Sequence, residues 1–331
     1  MIASKNREYV DLDLKNLSPI SVSVYNRIDH FKNCIRSLAA NDLAKYSILY
    51  IFSDAPKPGD EDAVSKVREY AKSITGFKKI NLIFQNKNNY KKNMKDLLEL
   101  PFEVNGKSIL MEDDIIVQRS FLRFMNIALN RYEKKDDIYC VSGYITPENH
   151  SENSNEVQAY FLPVGSGLGI WKRKYFELLE DYNLCHPGER LKKNFFYLIN
   201  FSFVFGFSAT ALYFQLFDKG IFYHDMVSME YMFRKKKLSV IPPHTLTLNK
   251  GYDGSGVNCE PFDSIQNEKF LRQSDHFDFP TRFNLKKAYH KTRKGMNKFK
   301  KNKNFVRQVS PLIMYFWKPP KTIVNLLKKI F

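Results

Sequence analysis

No two of the four cysteines, Cys34, Cys140, Cys185 and Cys259, form a CxxC pair, and none has a histidine at metal-ligand spacing. That excludes a disulfide framework and a structural zinc site as the basis of the fold. The seven histidines are scattered, which argues against a histidine-built zinc centre as well. A GxxxxGK phosphate-binding loop and a GxSxG nucleophile elbow are both missing, so neither P-loop nor serine-hydrolase chemistry has a motif to rest on. Acidic residues are absent from one whole region. From Thr281 to Phe331 there are 15 Lys and Arg and no Asp or Glu, so of the net charge of +17 the first 280 residues carry +2. The body is nearly neutral and its end is cationic, which suits an anionic membrane surface or nucleic acid. The opening MIASKNREYVDLDLKN lacks the uninterrupted apolar core of a secretory signal, and the cytoplasm is the expected compartment.

What is present is a globular composition, 44% hydrophobic and 15% aromatic over 331 residues, enough for one large domain or two ordinary ones. From Pro19 onward strand-like and helix-like segments alternate. PISVSVYN, YSILYIFSD, INLIFQN, SILMEDDIIV and DIYCVSGYI read as strands; HFKNCIRSLAAN, DAVSKVREYAKSI, NMKDLLEL and SFLRFMNIALNRYEKK read as helices. In the last of these, Leu122, Met125, Leu129 and Tyr132 fall on one stripe. Such alternation predicts an α/β fold with a mostly parallel sheet flanked by helices, and in such sheets ligands bind at the carboxyl ends of the strands. Asn26-Arg27, Ser53-Asp54 and Glu112-Asp113-Asp114 all stand at such ends.

Residues 195–217, FFYLINFSFVFGFSATALYFQLF, are long enough to cross a membrane, but Asn200, Ser202, Gly206, Thr210 and Gln215 make the run a poor span. A buried or membrane-dipping helix is expected instead. Beyond about residue 280 basic residues interleave with PLIMYFW and IVNLLKKIF. This pattern fits an amphipathic tail on anionic lipid better than a phosphate backbone, with an ordinary solvated tail as the alternative.

The triplet Glu112, Asp113, Asp114 interrupts an apolar run, and an unpaired buried carboxylate costs several kcal/mol, on the order of a domain's whole stability. Something cationic is expected to meet it. One candidate is a hard divalent cation, Mn2+ or Mg2+, held through one or two carboxylates while substrate phosphates and water fill its other positions. The alternatives are pairing with a nearby Lys or Arg, or capping of the helix that starts at Phe121.

At this point the chain resembles the nucleotide-sugar-dependent glycosyltransferases of the GT-A fold. The likeness is to the N-acetylglucosaminyltransferase I type, with its EDD variant of the DxD motif, and to bacterial surface-polysaccharide transferases. It covers roughly residues 18–260 and rests on the order of SVSVYNR, IFSD, LMEDDI, GSGLGIWKRKYF, HDMVSMEY and LSVIPPHTLTLNKGYDGSG. Position by position, the resemblance implies that Arg27 lies near the donor pyrophosphate and that Asp54 accepts the uracil N3–H. It makes Asp114 the metal ligand, Asp113 the ribose contact and Glu112 a contact with the donor sugar. Asn89 and Lys92 would support the nucleotide, although a solvated helix start is the simpler reading of the lysine. Gly167 and Gly169 in GSGLGIW would approach the donor sugar; Trp171 would stack on a sugar ring or serve the core. Asp225 would be the base of an inverting transfer, with a plain N-cap as its alternative and Glu230 in reserve. On the same resemblance Lys250 and Gly251 would open a glycine-rich lid over bound donor, and Asn258 stands where related sequences often have histidine.

The organisation so implied is an extension over 1–17, a nucleotide-sugar half over 18–145, an acceptor and base half over 146–275, and a basic membrane-associating tail over 276–331. The expected activity is metal-dependent transfer from a nucleotide sugar, UDP-linked by preference, to a lipid-linked or polymeric glycan acceptor, at the inner face of the cell membrane and without nucleic acid. Alternatives are a sugar-phosphate nucleotidylyltransferase, whose glycine-rich start is missing at VYNRIDH, and a non-catalytic membrane- or nucleic-acid-binding protein.

Overall fold

The computed structural model describes residues 12–150, 154–163, 165–220, 222–255, 271–274 and 276–296. Two compact units divide the chain. One comprises residues up to 159, 163–176 and 239–282; the other comprises 160–162, 177–238 and 283 onward. This division cuts across the expected halves at 18–145 and 146–275.

In the first unit the chain alternates as expected through β1 (Ile20–Val24), α1 (Ile28–Ala39), β2 (Ile48–Ser53), α2 (Glu61–Ser73), β3 (Lys79–Phe84), α3 (Tyr90–Glu99) and the single turn α4 (Phe102–Asn105). It continues through β4 (Lys107–Glu112), β5 (Ile115–Val117), α5 (Phe121–Tyr132), β6 (Ile138–Ser142), β7 (Gln158–Tyr160) and β8 (Leu168–Trp171). The mixed α/β architecture is thus the expected one, a large sheet flanked by helices. Strand order is β3-β2-β1-β4-β8-β6, continued by β9 (Leu238–Ile241) and β7. The β3, β2, β1 and β4 strands run parallel, while β8 runs antiparallel to both β4 and β6.

Helices cover the sheet through stripes legible at 3.6-residue spacing. On α1 these are Phe31, Cys34, Ile35 and Leu38; on α5 they are Leu122, Met125, Leu129 and Tyr132, all buried. Gly169 admits α5 closely, because a Cβ there would lie 2.9 Å from Met125 Cε.

One correction concerns the acid triplet. It does not lie inside a single strand: β4 ends at Glu112, Asp113 and Asp114 form the turn, and β5 leaves to pair antiparallel with β10 (Thr247–Asn249) in a separate two-stranded sheet. Both aspartates of the turn are nonetheless buried.

The second unit is helical: α6 (Lys172–Leu184), α7 (Pro187–Lys193), α8 (Phe195–Phe205), α9 (Phe207–Asp218), α10 (His224–Lys235) and α11 (Leu285–Met296), with α6 joining it from Glu177. The apolar run 195–217 is neither a span nor one helix. Gly206 takes φ 101° and ψ 145°, a conformation reserved for glycine, and splits the run into helices of 11 and 12 residues. Each is about half the length a membrane crossing needs. Among the described residues no helix is long and apolar enough to cross a membrane. The clusters PLIMYFW and IVNLLKKIF, and the extension as far as Asp11, lie outside the described residues.

Candidate functional site

The parallel register aligns the carboxyl ends of the central strands. Ser23 sits opposite both Phe52 and Glu112, so the residues after β1, β2 and β4 emerge together. After β1, Tyr25 Oη and Asn26 Nδ2 both donate to the Asp60 carboxylate, at 2.8 and 3.1 Å, which holds the turn before α1. Arg27 then stands at the start of α1 with its guanidinium against the acid turn. It binds Asp113 Oδ1 and lies 2.9 Å from Asp114 Oδ2.

This answers the electrostatic question posed by the triplet. The Arg27 guanidinium is engaged by the two aspartates, so a cation of the chain itself meets them. Burial pushes the Asp113 carboxyl up, opposed by Arg27, and the net direction is up. Burial works against the Arg27 cation, but Asp113 and Asp114 overcome it and its affinity for the proton rises. Behind them the Cys34 thiol is fully buried, and burial together with both aspartates pushes it well up. It is no nucleophile.

Asp114 has a second oxygen. Its Oδ1 is buried and has no hydrogen-bond partner among the described residues. Buried polar atoms in folded proteins are nearly always partnered, so an orphaned carboxylate oxygen marks a place for a ligand. The wall beside it is close: the Lys250 N–H donates to the Asp114 carbonyl at 2.9 Å, and a Cβ on Gly251 would overlap the Asp114 carboxylate. Gly251 must therefore be glycine for Asp114 to stay where it is. The Gly251→Ala variant is expected to displace the Asp114 carboxylate and lower the urea unfolding midpoint; an unchanged midpoint would show that the Gly251 backbone yields instead.

Following Gly251, Asp253 reaches His30 at 2.9 Å, and Ser255 lies 3.5 Å from Arg27 and 3.3 Å from His30. Hydrogen bonds from the Ser255 hydroxyl and backbone N–H, with His30 adding to them, hold the Asp253 carboxyl well below the usual range. Sequence reasoning missed His30, Asp60, Asp253 and Ser255, since no motif spacing links them. It also missed Glu148, whose Oε2 is buried and without a hydrogen-bond partner among the described residues. Glu148 follows β6 on the single turn Pro147–Asn149, and burial, with Tyr252 and Glu148 adding to it, raises the neighbouring Tyr144.

The other expected site residues divide. Asp54 is buried, and its Oδ1 accepts the N–H groups of Ala55 and Asn89, both at 2.9 Å, so it pins two loops together. Asn89 caps α3 by accepting the Lys92 N–H, and the Lys92 ammonium pairs with Asp96 one turn on. Glu112 ends β4 with its side chain exposed beside the turn. Gly167 has φ 77° and its carbonyl accepts the Gly143 N–H, close to Phe121 and Thr247.

Trp171 is a correction: it pairs with Lys107, the first residue of β4, at the end of that strand remote from the acids. Its indole N–H donates to the Leu129 carbonyl at 3.0 Å and the Lys174 ammonium lies 3.7 Å from the ring centroid, so it is core and not a sugar platform. Glu230 is another. It is fully buried in the second unit, bonded to Tyr197 Oη at 2.9 Å and Arg234 Nε at 3.0 Å, with Arg190 at 3.5 Å. That arrangement leaves it no access to an acceptor. Asp225 lies in the first turn of α10, also in the second unit, with a side chain 67% exposed and His224 Nδ1 3.8 Å away. It is not the N-cap, which is Tyr223. Asn258 lies outside the described residues.

Among the described residues no group of three or more His, Cys, Asp or Glu is arranged to hold a metal. A divalent ion with one protein carboxylate and its remaining positions on phosphate and water still fits the residues present. Asp114 Oδ1 offers the oxygen.

No protein-family model and no curated protein matches the chain. Solved structures do. The chain is similar to S. aureus TarS at 11% identity, covering 49% of this chain and 29% of that one with a TM-score of 0.35. It is similar to the mannosyltransferase PcManGT from Pyrobaculum calidifontis in complex with GDP-Man and Mn2+, at 15% identity, 54% and 53% coverage and a TM-score of 0.34. It is also similar to the apo-form glycosyltransferase GlyE of Streptococcus pneumoniae TIGR4, at 9% identity, 83% and 62% coverage and a TM-score of 0.37. The chain spans between 29% and 62% of the length of these three. With every TM-score below 0.5, a functional conclusion has to rest on this chain's own residues.

Proposed function

We propose that this protein is a nucleotide-sugar-dependent glycosyltransferase whose donor diphosphate meets the turn after β4. The observation that carries the reading is the orphaned, buried Asp114 Oδ1 at the carboxyl ends of parallel strands, beside the Arg27 guanidinium. Asp114 would hold a divalent ion, Mn2+ or Mg2+, which when bound supplies charge neutralisation for the departing nucleoside diphosphate. Arg27 supplies a fixed cation at the same place, and Gly251 keeps the wall close. Asp113 and Glu112 are assigned to ribose and donor sugar, and Asp54 with Asn89 to the base side, on the resemblance alone. Asp225, an exposed carboxylate, is the proposed acceptor of the proton from the attacking hydroxyl, in a transfer that inverts the sugar. A UDP-linked donor, a lipid-linked or polymeric surface-glycan acceptor, and a cationic end resting on the inner face of the cell membrane complete the reading.

One observation favours a second reading. Arg27 already compensates the acid turn, as it would in a non-catalytic protein whose carboxylates are structural. A panel of nucleotide sugars separates the two. One donor is expected to hydrolyse slowly with Mn2+, to stop with chelator and to recover when Mn2+ is restored. If no donor is bound or consumed under either condition, the glycosyltransferase reading fails.

A further inference from the structure

The helix α8 is apolar on both sides. Leu198, Phe201, Ser202 and Phe205 form its inward stripe and are buried. The opposite stripe, Phe196, Ile199, Asn200 and Phe203, would be polar on an ordinary surface helix. Instead Phe196 is 84% exposed and Phe195 beside it is 67% exposed, their rings 6.0 Å apart, with Phe203 exposed two turns beyond Phe196. Leu212 on α9 and Leu184 at the end of α6 are exposed in the same unit. Single exposed apolar side chains need no explanation, but an aromatic pair continuing along a helix face does.

The chemistry of the occupant is set by α11. This helix docks through Ala288, Thr292 and Gly295, and Tyr289 Oη donates to Asn200 Oδ1, on the outward stripe of α8, at 3.3 Å. Its exposed residues include Lys286, Lys287, Arg293 and Lys294, and the helix contains no acid. Exposed phenylalanines beside a purely cationic helix match the two layers of an anionic membrane surface, acyl chains under phosphate. A second copy of this chain is a poorer match, because a two-fold contact would set the same cations against each other.

We propose that the outward face of α8, with Phe195 and Phe196 as its leading residues, inserts at the interface of an anionic bilayer while α11 contacts the headgroup phosphates. This extends to a folded surface the membrane partner proposed for the cationic end, and it rests on that reading.

The 331-residue chain carrying Phe196→Trp and Trp317→Phe would be mixed with vesicles of phosphatidylglycerol and phosphatidylcholine brominated on the acyl chains, with Trp317→Phe alone as background. Emission added by F196W is expected to fall at least about twofold on binding, and Phe195→Ser with Phe196→Ser to weaken vesicle partition at least about tenfold. Binding without quenching of that emission overturns the proposal and leaves the contact to the cationic end alone. Absence of vesicle binding overturns both. A concentration-dependent dimer in sedimentation that dissolves in the double Ser variant also overturns it, by assigning the face to a second copy.

Discussion

Asp114→Asn is expected to reduce turnover of the nucleotide sugar by on the order of 100-fold or more, the cost typical of losing a metal-site carboxylate or its close support. The substitution preserves shape. It removes the negative charge that places Asp114 Oδ1, buried and unpartnered, ready for a cation. It also leaves Arg27 with Asp113 as its remaining partner in the acid turn, so the guanidinium is freer to follow a bound diphosphate. The diagnostic result is a fall in kcat and in metal-dependent nucleotide affinity, with the unfolding midpoint and vesicle binding close to those of the unaltered protein. Full activity in this variant would return the acid turn to a purely structural role.

Glu230→Gln should act on the other unit and in the other way. Glu230 has no exposed surface and meets Arg234, Arg190 and Tyr197, while Asp181 meets the same two arginines, at 2.7 Å in the case of Arg190. Removing one carboxylate leaves both arginines, with Lys235 3.8 Å from Asp181, sharing that single acid beside Tyr197, whose ring packs against Phe201 and Phe233. Breaking a buried pair costs about 3–5 kcal/mol. Because both arginines keep partial contact with water, about 3 kcal/mol is the better expectation, read as a drop in the urea midpoint. At a temperature where the variant is folded its turnover should match the parent. A chemical defect without a stability defect would instead restore Glu230 as the proton acceptor.

These two residues also mark what sequence pattern reveals. The alternation of strands and helices, and stripes such as Phe31, Cys34, Ile35 and Leu38, are local signals and agree with the structure. So is the concentration of polar residues where β1, β2 and β4 end. Insertion of β8 between β4 and β6 is set by contacts far apart in sequence, which periodicity does not report. That insertion decides the place of Trp171, whose glycine-rich neighbourhood points to a ligand while its register points to the core. The break at Gly206 depends on one residue's backbone freedom inside an apolar run, where hydropathy reads as continuous. Glu230 follows an ordinary helical spacing from Arg234, and a surface i,i+4 pair and a buried one look alike in a string of letters. Arg27 was legible as a cation near the acids, but its partner, diphosphate or aspartate, depends on a distance.

The bond between Arg27 and the acid turn carries a consequence for how the protein is assembled. A small zinc domain cannot stand without its ion, because repulsion among its ligands has no other relief. Here the guanidinium supplies that relief from within the polypeptide, so the acid turn is held together by the chain's own charges, and an ion or diphosphate bound there would add to a site already formed.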